Sequence, residues 1–346
     1  MARSTNALLS RVVAAALVAA GAAAFAGSAS AADEVNIYSY RQAHLIQPLL
    51  AKFTEATGIK TNVVYAKKGM LERLKAEGKN TPADVVLTTD ISRLAEMVDA
   101  GMLQGVSSDK INSLVPAHLR DPKGRWIALT KRARVVYASK DRVKAGELAR
   151  YEDLSDAKWK GRICTRSGRH VYTIGLISSM VAEHGAEWTE KWLAGLKANL
   201  ARKPQGNDRA QVKAVSEGVC DLALGNTYYM GKMLAKPEQK VWADSVNIVF
   251  PNQGDRGAHI NISGGGVTKH AKRKAEAVKL LEFLADTTAQ GVYAAQNYEY
   301  PVHTGVKADP IVAGFGSFKE DKLDIEKLAM HRVTAAKLVD KVGFDN

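Results

Sequence analysis

The sequence predicts an α/β protein of two lobes around a cleft, on three observations. Strand-like and helix-like segments alternate at the spacing of a parallel sheet, a second such series follows the first, and two strands of different character separate the series. The first series opens with Val35-Asn36-Ile37-Tyr38-Ser39-Tyr40, an alternating run that reads as a strand. Leu45, Leu49, Leu50 and Phe53 form one face of a helix ending at Thr57, and Gly58 stops it. Thr61 to Tyr65 is the second strand, Met70 to Glu77 the second helix, Ala83 to Thr88 a buried-type third strand, and Ile91 to Ala100 a third helix before Gly101.

Ile127 to Thr130 and Val135 to Ala138 read as two strands with a basic segment between them. The second series then runs through a strand at Arg162 to Cys164, helices at about Thr173 to Glu183, Trp188 to Leu200 and Ala210 to Glu217, and a strand at Asp221 to Leu224. Further strands are expected at Val246 to Phe250 and His259 to Ser263, with Gly264-Gly265-Gly266 breaking the pattern before Val267. Lys272 to Ala285 is an amphipathic helix with Val278, Leu281 and Leu284 on one face, and the tail from Asp321 to Val342 is helical. In open α/β sheets ligands sit beyond the carboxyl ends of strands, and clefts between lobes are preferred sites. Tyr40-Arg41, Asp90 and Tyr228-Tyr229 all follow expected strands in this way.

The first residues address the compartment. Arg3 and Arg11 are the only charged side chains before Asp33; an apolar, Ala-rich run from about Val12 to Phe25 follows, and Ala29-Ser30-Ala31 fits a small-residue cleavage site. This is the layout of a secretory signal peptide over residues 1–31 and implies export; a membrane anchor is the alternative, against which the apolar run is short for a span and lacks a positive flank on its far side. The net charge of +13 becomes +11 without Arg3 and Arg11. The positives are scattered and no aromatic-and-basic motif accompanies them, which argues against a nucleic-acid partner. A positive field instead favours anionic ligands or an anionic membrane surface.

Two cysteines, Cys164 and Cys220, in an oxidising compartment suggest one disulfide; two buried free thiols are the alternative, and a thiolate metal site is the weakest reading. No G-x-S-x-G elbow, H-E-x-x-H or P-loop is present, and the eight histidines are dispersed, with His118, His184, His270 and His331 at expected solvated positions. Nothing specific argues for an enzyme. Tyrosine is the more informative residue type. Phenolate oxygen is a hard donor that suits a hard trivalent cation better than imidazole or thiolate does. Tyr228-Tyr229, in Gly-Asn-Thr-Tyr-Tyr, and Tyr172, at an expected helix start near Arg166, Arg169 and His170, are therefore candidate metal ligands. Taken alone, a Tyr-Tyr pair is more often ordinary packing.

Several blocks occur in order along the whole mature chain: V-N-I-Y-S-Y-R-Q, A-D-V-V-L-T-T-D-I-S-R-L, R-A-R-V-V-Y, Y-E-D-L-S-D-A-K-W-K-G, G-N-D-R-A-Q, G-N-T-Y-Y and N-Y-E-Y-P-V. Together they resemble the ferric-iron-binding proteins of bacterial ABC importers, the ferric-binding-protein A group. The resemblance implies a type II periplasmic-binding fold, with one lobe of residues 32–132 and about 258–308 and the other of about 133–257 and 309–346. It implies Fe3+ bound by Tyr172, Tyr228 and Tyr229, with carbonate or another small anion as a candidate co-ligand. Arg41, Arg132 and Arg134 become candidates for supporting the phenolates or anchoring that anion, against a plainer role as solvated surface charge. The implied destination of the exported chain is the periplasm, the implied partners are an inner-membrane ABC permease and its ATPase, and the chain is expected to be a monomer. Some branches of the group add a His or Tyr ligand in a pattern like S-x-R-H-Y. Here Gln42 and Ala43 hold those two positions, so no ligand is expected from that segment. The rival functions are binding of an oxyanion or a polyamine on the same fold, and a periplasmic enzyme.

Overall fold

The computed structural model describes residues 33–322 and 325–346, so the expected signal peptide at 1–31 lies outside the described residues. In the first series β1 (Glu34–Ser39) lies between β2 (Lys60–Tyr65) and β3 (Val85–Thr88) and runs parallel to both. Helices α1 (Ala43–Thr57), α2 (Met70–Glu77), α3 (Ile91–Asp99) and α4 (Asp109–Leu114) alternate with or follow these strands. α1 buries Ile46, Leu49, Leu50 and Phe53 on one face. Gly58, at φ 73°, returns its N–H to the Thr54 carbonyl and closes the helix in the left-handed conformation that glycine adopts without penalty.

β4 (Ile127–Ser139) corrects the expectation of two strands, because it is one strand of 13 residues. The basic segment does not interrupt it. Arg132 and Arg134 are buried and bonded inside the protein, so neither turns the chain out toward water. The second series follows as β5 (Ile163–Cys164), α5 (Val171–His184), α6 (Ala186–Ala198), α7 (Asp208–Ser216), β6 (Leu222–Asn226), α8 (Thr227–Leu234), α9 (Pro237–Asp244) and β7 (Val246–Val249). Next come β8 (Ile260–Val267), α10 (Lys274–Ala285), α11 (Thr287–Asn297), β9 (Tyr300–Pro301), α12 (Pro310–Ala313), α13 (Ile325–Met330) and α14 (Arg332–Lys341).

The strand order is β2-β1-β3-β8-β4-β6-β5, with β7 and β9 each paired to β4. The first half of β4 pairs with β8, and its second half with β6 and β7. β4 therefore crosses from one core to another. One core gathers Ile37, Phe53, Val86, Leu94, Ile262 and Leu281. On the other side of the crossing, Val136, Trp159, Ile177, Leu193 and Phe344 form a second core, and Val135, Tyr137, Met230 and Met233 a third. α14 packs on α5 and α6, while α13 packs on both α3 and α5, and Arg332 reaches Asp90 and Glu96 of the first series.

Gly264, Gly265 and Gly266 do not break β8; they lie inside it. A Cβ at Gly264 would stand 2.4 Å from the Ile127 carbonyl oxygen, and one at Gly266 2.4 Å from that of Arg125. The glycines are the condition for close approach of neighbouring backbone, a known reason for glycine in a strand. His184 is also less solvated than expected: it is half-buried, 2.7 Å from the Glu152 carboxylate and stacked on Trp188.

Cys164 and Cys220 form a disulfide with Cα atoms 5.9 Å apart, joining the end of β5 to the residues entering β6 across a separation of 56. A cross-link of that span stabilises by about 4 kcal/mol through loss of freedom in the unfolded chain. Replacing both cysteines with serine is expected to lower the midpoint of guanidinium unfolding by a corresponding amount. An unchanged midpoint would show that the link contributes no stability.

Candidate metal centre

Three tyrosines meet because two helices begin at the same place. β6 ends at Asn226, and Tyr228 and Tyr229 occupy the first turn of α8. Tyr172 occupies the first turn of α5. The Tyr228 hydroxyl donates to the Tyr172 hydroxyl at 3.2 Å, and the Tyr228 and Tyr229 rings lie 4.2 Å apart between centroids. Helix N-termini carry partial positive charge, so all three phenols sit where an anionic oxygen is favoured.

The start of α5 is fixed by His170, whose Nδ1 accepts from the Tyr172 N–H at 3.2 Å and whose ring packs edge-on against Tyr172 at 4.7 Å. Acting as acceptor requires the neutral ring. Burial, followed by the neighbouring Arg166, pulls the His170 pKa down to about 3, so the cap persists through the physiological range. The start of α8 is fixed by Asp208, which is fully buried and accepts the Asn226 N–H at 2.9 Å.

Burial raises the Tyr172 phenol above its ordinary pKa; the Arg132 charge opposes the rise and Tyr229 adds to it. Tyr228 is raised well above its ordinary value by burial, then by Tyr172 and Tyr229 beside it. Both are neutral phenols at pH 7. A cation placed beside them would become the dominant local charge and invert that preference.

The tyrosines line a cavity of about 220 Å³ together with Arg41, Arg209 and Lys232. The three arginines singled out from sequence are all buried, so none is a solvated surface charge. They take different places. Arg41 reaches the cavity, paired with Glu299 at 3.0 Å and stacked 5.0 Å from the Tyr293 centroid. Arg132 lies with its guanidinium 5.4 Å from the Tyr172 ring centroid, and donates to the Thr89 carbonyl at 2.5 Å and the Ser263 hydroxyl at 3.3 Å. Arg134 is not part of the cavity lining; it bonds to Asp208 at 2.8 Å and Asn226 at 3.1 Å. Gln42 lines the cavity and supplies no anionic donor.

Sequence reasoning missed Arg209, Lys232 and Glu299. Lys232 had a usable signal: it follows Tyr228 by four residues, one helical turn along the same face. Arg209 and Glu299 lay inside quoted blocks, but nothing local gave them a role. No cluster of His, Cys, Asp and Glu fit to hold a metal occurs among the described residues.

Residues 80–314 match the family described as bacterial extracellular solute-binding protein. Iron uptake protein A1 of Synechocystis is 46% identical over 315 residues, covering 90% of this chain and 88% of that protein. Among solved structures, apo ferric ion-binding protein A of Pasteurella haemolytica superposes with a TM-score of 0.86 at 49% identity, over 91% of this chain and 99% of that one. A Trichodesmium protein solved in complex with iron and citrate ligands gives 0.85 at 43% identity, over 90% and 99%. The common architecture is the expected type II periplasmic-binding fold, and these relatives are named for iron uptake and ferric-ion binding. The chain belongs to the family of bacterial extracellular solute-binding proteins, and it is a binding protein, not an enzyme.

Proposed function

We propose that the chain is a periplasmic Fe3+ carrier that holds its cargo through the phenolates of Tyr172, Tyr228 and Tyr229 and delivers it to an inner-membrane ABC permease with its ATPase. The observation that carries this is the meeting of Tyr172 and Tyr228 oxygens at 3.2 Å with the Tyr229 ring beside them, at two helix N-termini. Three phenolates balance a 3+ ion, and hard oxygen donors are what such an ion prefers. Relatives named for iron uptake and ferric-iron binding support the same cargo. The cations on the cavity wall disfavour a polyamine, which needs carboxylates there. Arg132 supports the site from beside the Tyr172 ring, and Arg41 from across the cavity. The N-terminal lobe comprises 32–132 and about 258–308 in this reading, with all three phenolates supplied by the other lobe.

The direct test is colour. Tyrosinate bound to Fe3+ absorbs in the visible, so the iron-loaded protein should be coloured and the iron-free protein colourless. A colourless protein carrying stoichiometric iron would rule out phenolate ligation.

A pH dependence follows. Tyr172 and Tyr228 have raised pKa values in the iron-free protein, so each must lose a tightly held proton to bind. Proton competition therefore strengthens as pH falls, and the iron-bound state weakens in that direction. Retention against a fixed competitor is expected to drop by about tenfold per pH unit for each phenolate proton taken up, and so by up to about a thousandfold for three. Dialysis at pH 7, 6 and 5 measures it; a flat profile would contradict the donor set.

A further inference from the structure

A second tie joins the two lobes besides the strands that cross between them. α13 packs on α3 of the first series and on α5 of the second, and the following α14 packs on α5 and α6. Leu328 of α13 is buried, yet it belongs to none of the three cores. Ala95 of α3 is buried outside those cores in the same way. The seam between the lobes accounts for their burial, and parting α3 from α13 would return apolar surface to water, which is unfavourable.

The seam also carries charge. Arg332, at the start of α14, faces two carboxylates of the first lobe. Its Nη1 lies 3.6 Å from Asp90 Oδ1, and its Nη2 3.7 Å from Glu96 Oε1. These separations are those of ion pairs, longer than hydrogen bonds. Arg332 Nη1 is buried and makes no hydrogen bond among the described residues, so its charge is met by the carboxylates. Asp90 is 1% exposed, and the cations that face it stand on other elements: Arg332 and, at 4.0 Å, Arg132 of β4. Stranding one member of a buried pair is strongly unfavourable, so this contact resists separation of the lobes.

Asp90 leads from the seam to the phenols. It caps α3 by accepting the Ser92 N–H at 3.0 Å, and it accepts from Asn261 Nδ2 on β8 at 2.8 Å. Arg132 beside it donates to the Thr89 carbonyl and lies 5.4 Å from the Tyr172 ring centroid. Tyr172 stands in the first turn of α5, the helix on which α13 packs. We propose that Arg332 is an interlobe positioning residue: by pairing with Asp90 and Glu96 it clasps the first lobe to α5 and slows the opening that releases cargo. The clasp stands on the seam alone, and its effect on iron rests on the tyrosinate reading.

The test compares the mature wild type with Arg332→Gln, Arg332→Lys and Glu96→Gln in two ways. Small-angle scattering of the iron-free proteins reports lobe separation, and loss of radiolabelled iron to excess EDTA, followed on a desalting column, reports release. Arg332→Gln is expected to have the larger radius of gyration and to release iron at least about tenfold faster, since truncating one member of a buried charge pair acts chiefly on dissociation. Arg332→Lys keeps the charge and should fall between the two. Glu96→Gln, at a half-exposed carboxylate, should move both readouts the same way by less, and should add little in the Arg332→Gln background. Lys337→Gln, an equal charge change at an exposed position of α14, should leave both readouts unchanged. Added salt should speed release from the wild type more than from Arg332→Gln, a difference that a packing role for Arg332 would not produce. Thermal melting identifies any variant that fails to fold, in which case Glu96→Gln decides by the same readouts. A wild-type radius in both Arg332→Gln and Glu96→Gln overturns the clasp. A larger radius with wild-type release overturns its control of the cargo. A larger radius in the variants of a wild type that retains no iron upholds the clasp and sinks the tyrosinate reading instead.

Discussion

Replacing Tyr228 with phenylalanine should weaken iron retention by at least about a hundredfold and remove or shift most of the visible band, while the fold stays intact. The change deletes one oxygen and keeps the ring, so the stacking on Tyr229 at 4.2 Å survives. The hydroxyl makes one side-chain hydrogen bond, to Tyr172, and a bond between neutral groups contributes about 1 kcal/mol to folding. That is a small part of a typical stability of about 5–15 kcal/mol. In the proposed ligation, the same deletion removes one of three charged donors. Losing even an outer partner costs metal sites about 10–100-fold, so losing a ligand should exceed the upper end of that range. Tyr298→Phe is the matched control. Tyr298 lies in the left-handed cap position after α11 with its side chain against Gly231; it does not itself line the phenol cavity, so colour should persist there. If Tyr228→Phe and Tyr229→Phe both kept wild-type colour and affinity, the proposed chemistry would be wrong and the true donors would lie elsewhere.

The periodic parts of this fold were readable because burial on one face leaves a pattern in the chain. The face of α1 and the strands of the first series follow directly from it. What could not be read depended on partners distant in sequence. β4 looked interrupted because arginines in a strand ordinarily mean exposure; its continuity depends on Arg132 finding the Thr89 carbonyl 43 residues away and Arg134 finding Asp208 74 residues away. The glycine run of β8 looked like a break because glycine's usual meaning is conformational freedom, whereas here the neighbouring carbonyls leave no room for a Cβ. The site divides in the same way. Tyr228 and Tyr229 stood out as a pair, but their meeting with Tyr172 spans 56 residues and needed either the fold or a family resemblance. The balance of charge in the cavity was hidden altogether, since Arg41 meets its carboxylate across 258 residues.

Asp208→Ala should be the most destabilising single substitution in the second lobe, costing about 3–5 kcal/mol or more, and it should loosen the iron site as a consequence. Asp208 is fully buried and holds two cations at once, Arg134 at 2.8 Å through one oxygen and Arg166 at 3.0 Å through the other. Removing one partner of a buried ion pair costs about 3–5 kcal/mol because the remaining charge is stranded away from water, and here two charges are stranded together. The arginines have little to fall back on: Arg134 Nε and Nη2 and Arg166 Nε already lack hydrogen-bond partners among the described residues. The effect reaches the site by two routes. Asp208 accepts the N–H of Asn226, which leads directly into Tyr228 and Tyr229, and it fixes Arg166, whose guanidinium lies 5.4 Å from the Tyr172 ring centroid. Asp208→Asn separates shape from charge, since it keeps an acceptor but gives up the counter-charge; it should fall between wild type and alanine. Guanidinium unfolding of the iron-free protein measures the first effect. Iron retention by the fraction still folded at low temperature measures the second, and it should fall together with stability across the series wild type, asparagine, alanine. A stable Asp208→Ala protein with wild-type iron retention would mean that the two arginines are compensated by something other than this carboxylate, and that the tyrosines are positioned without it.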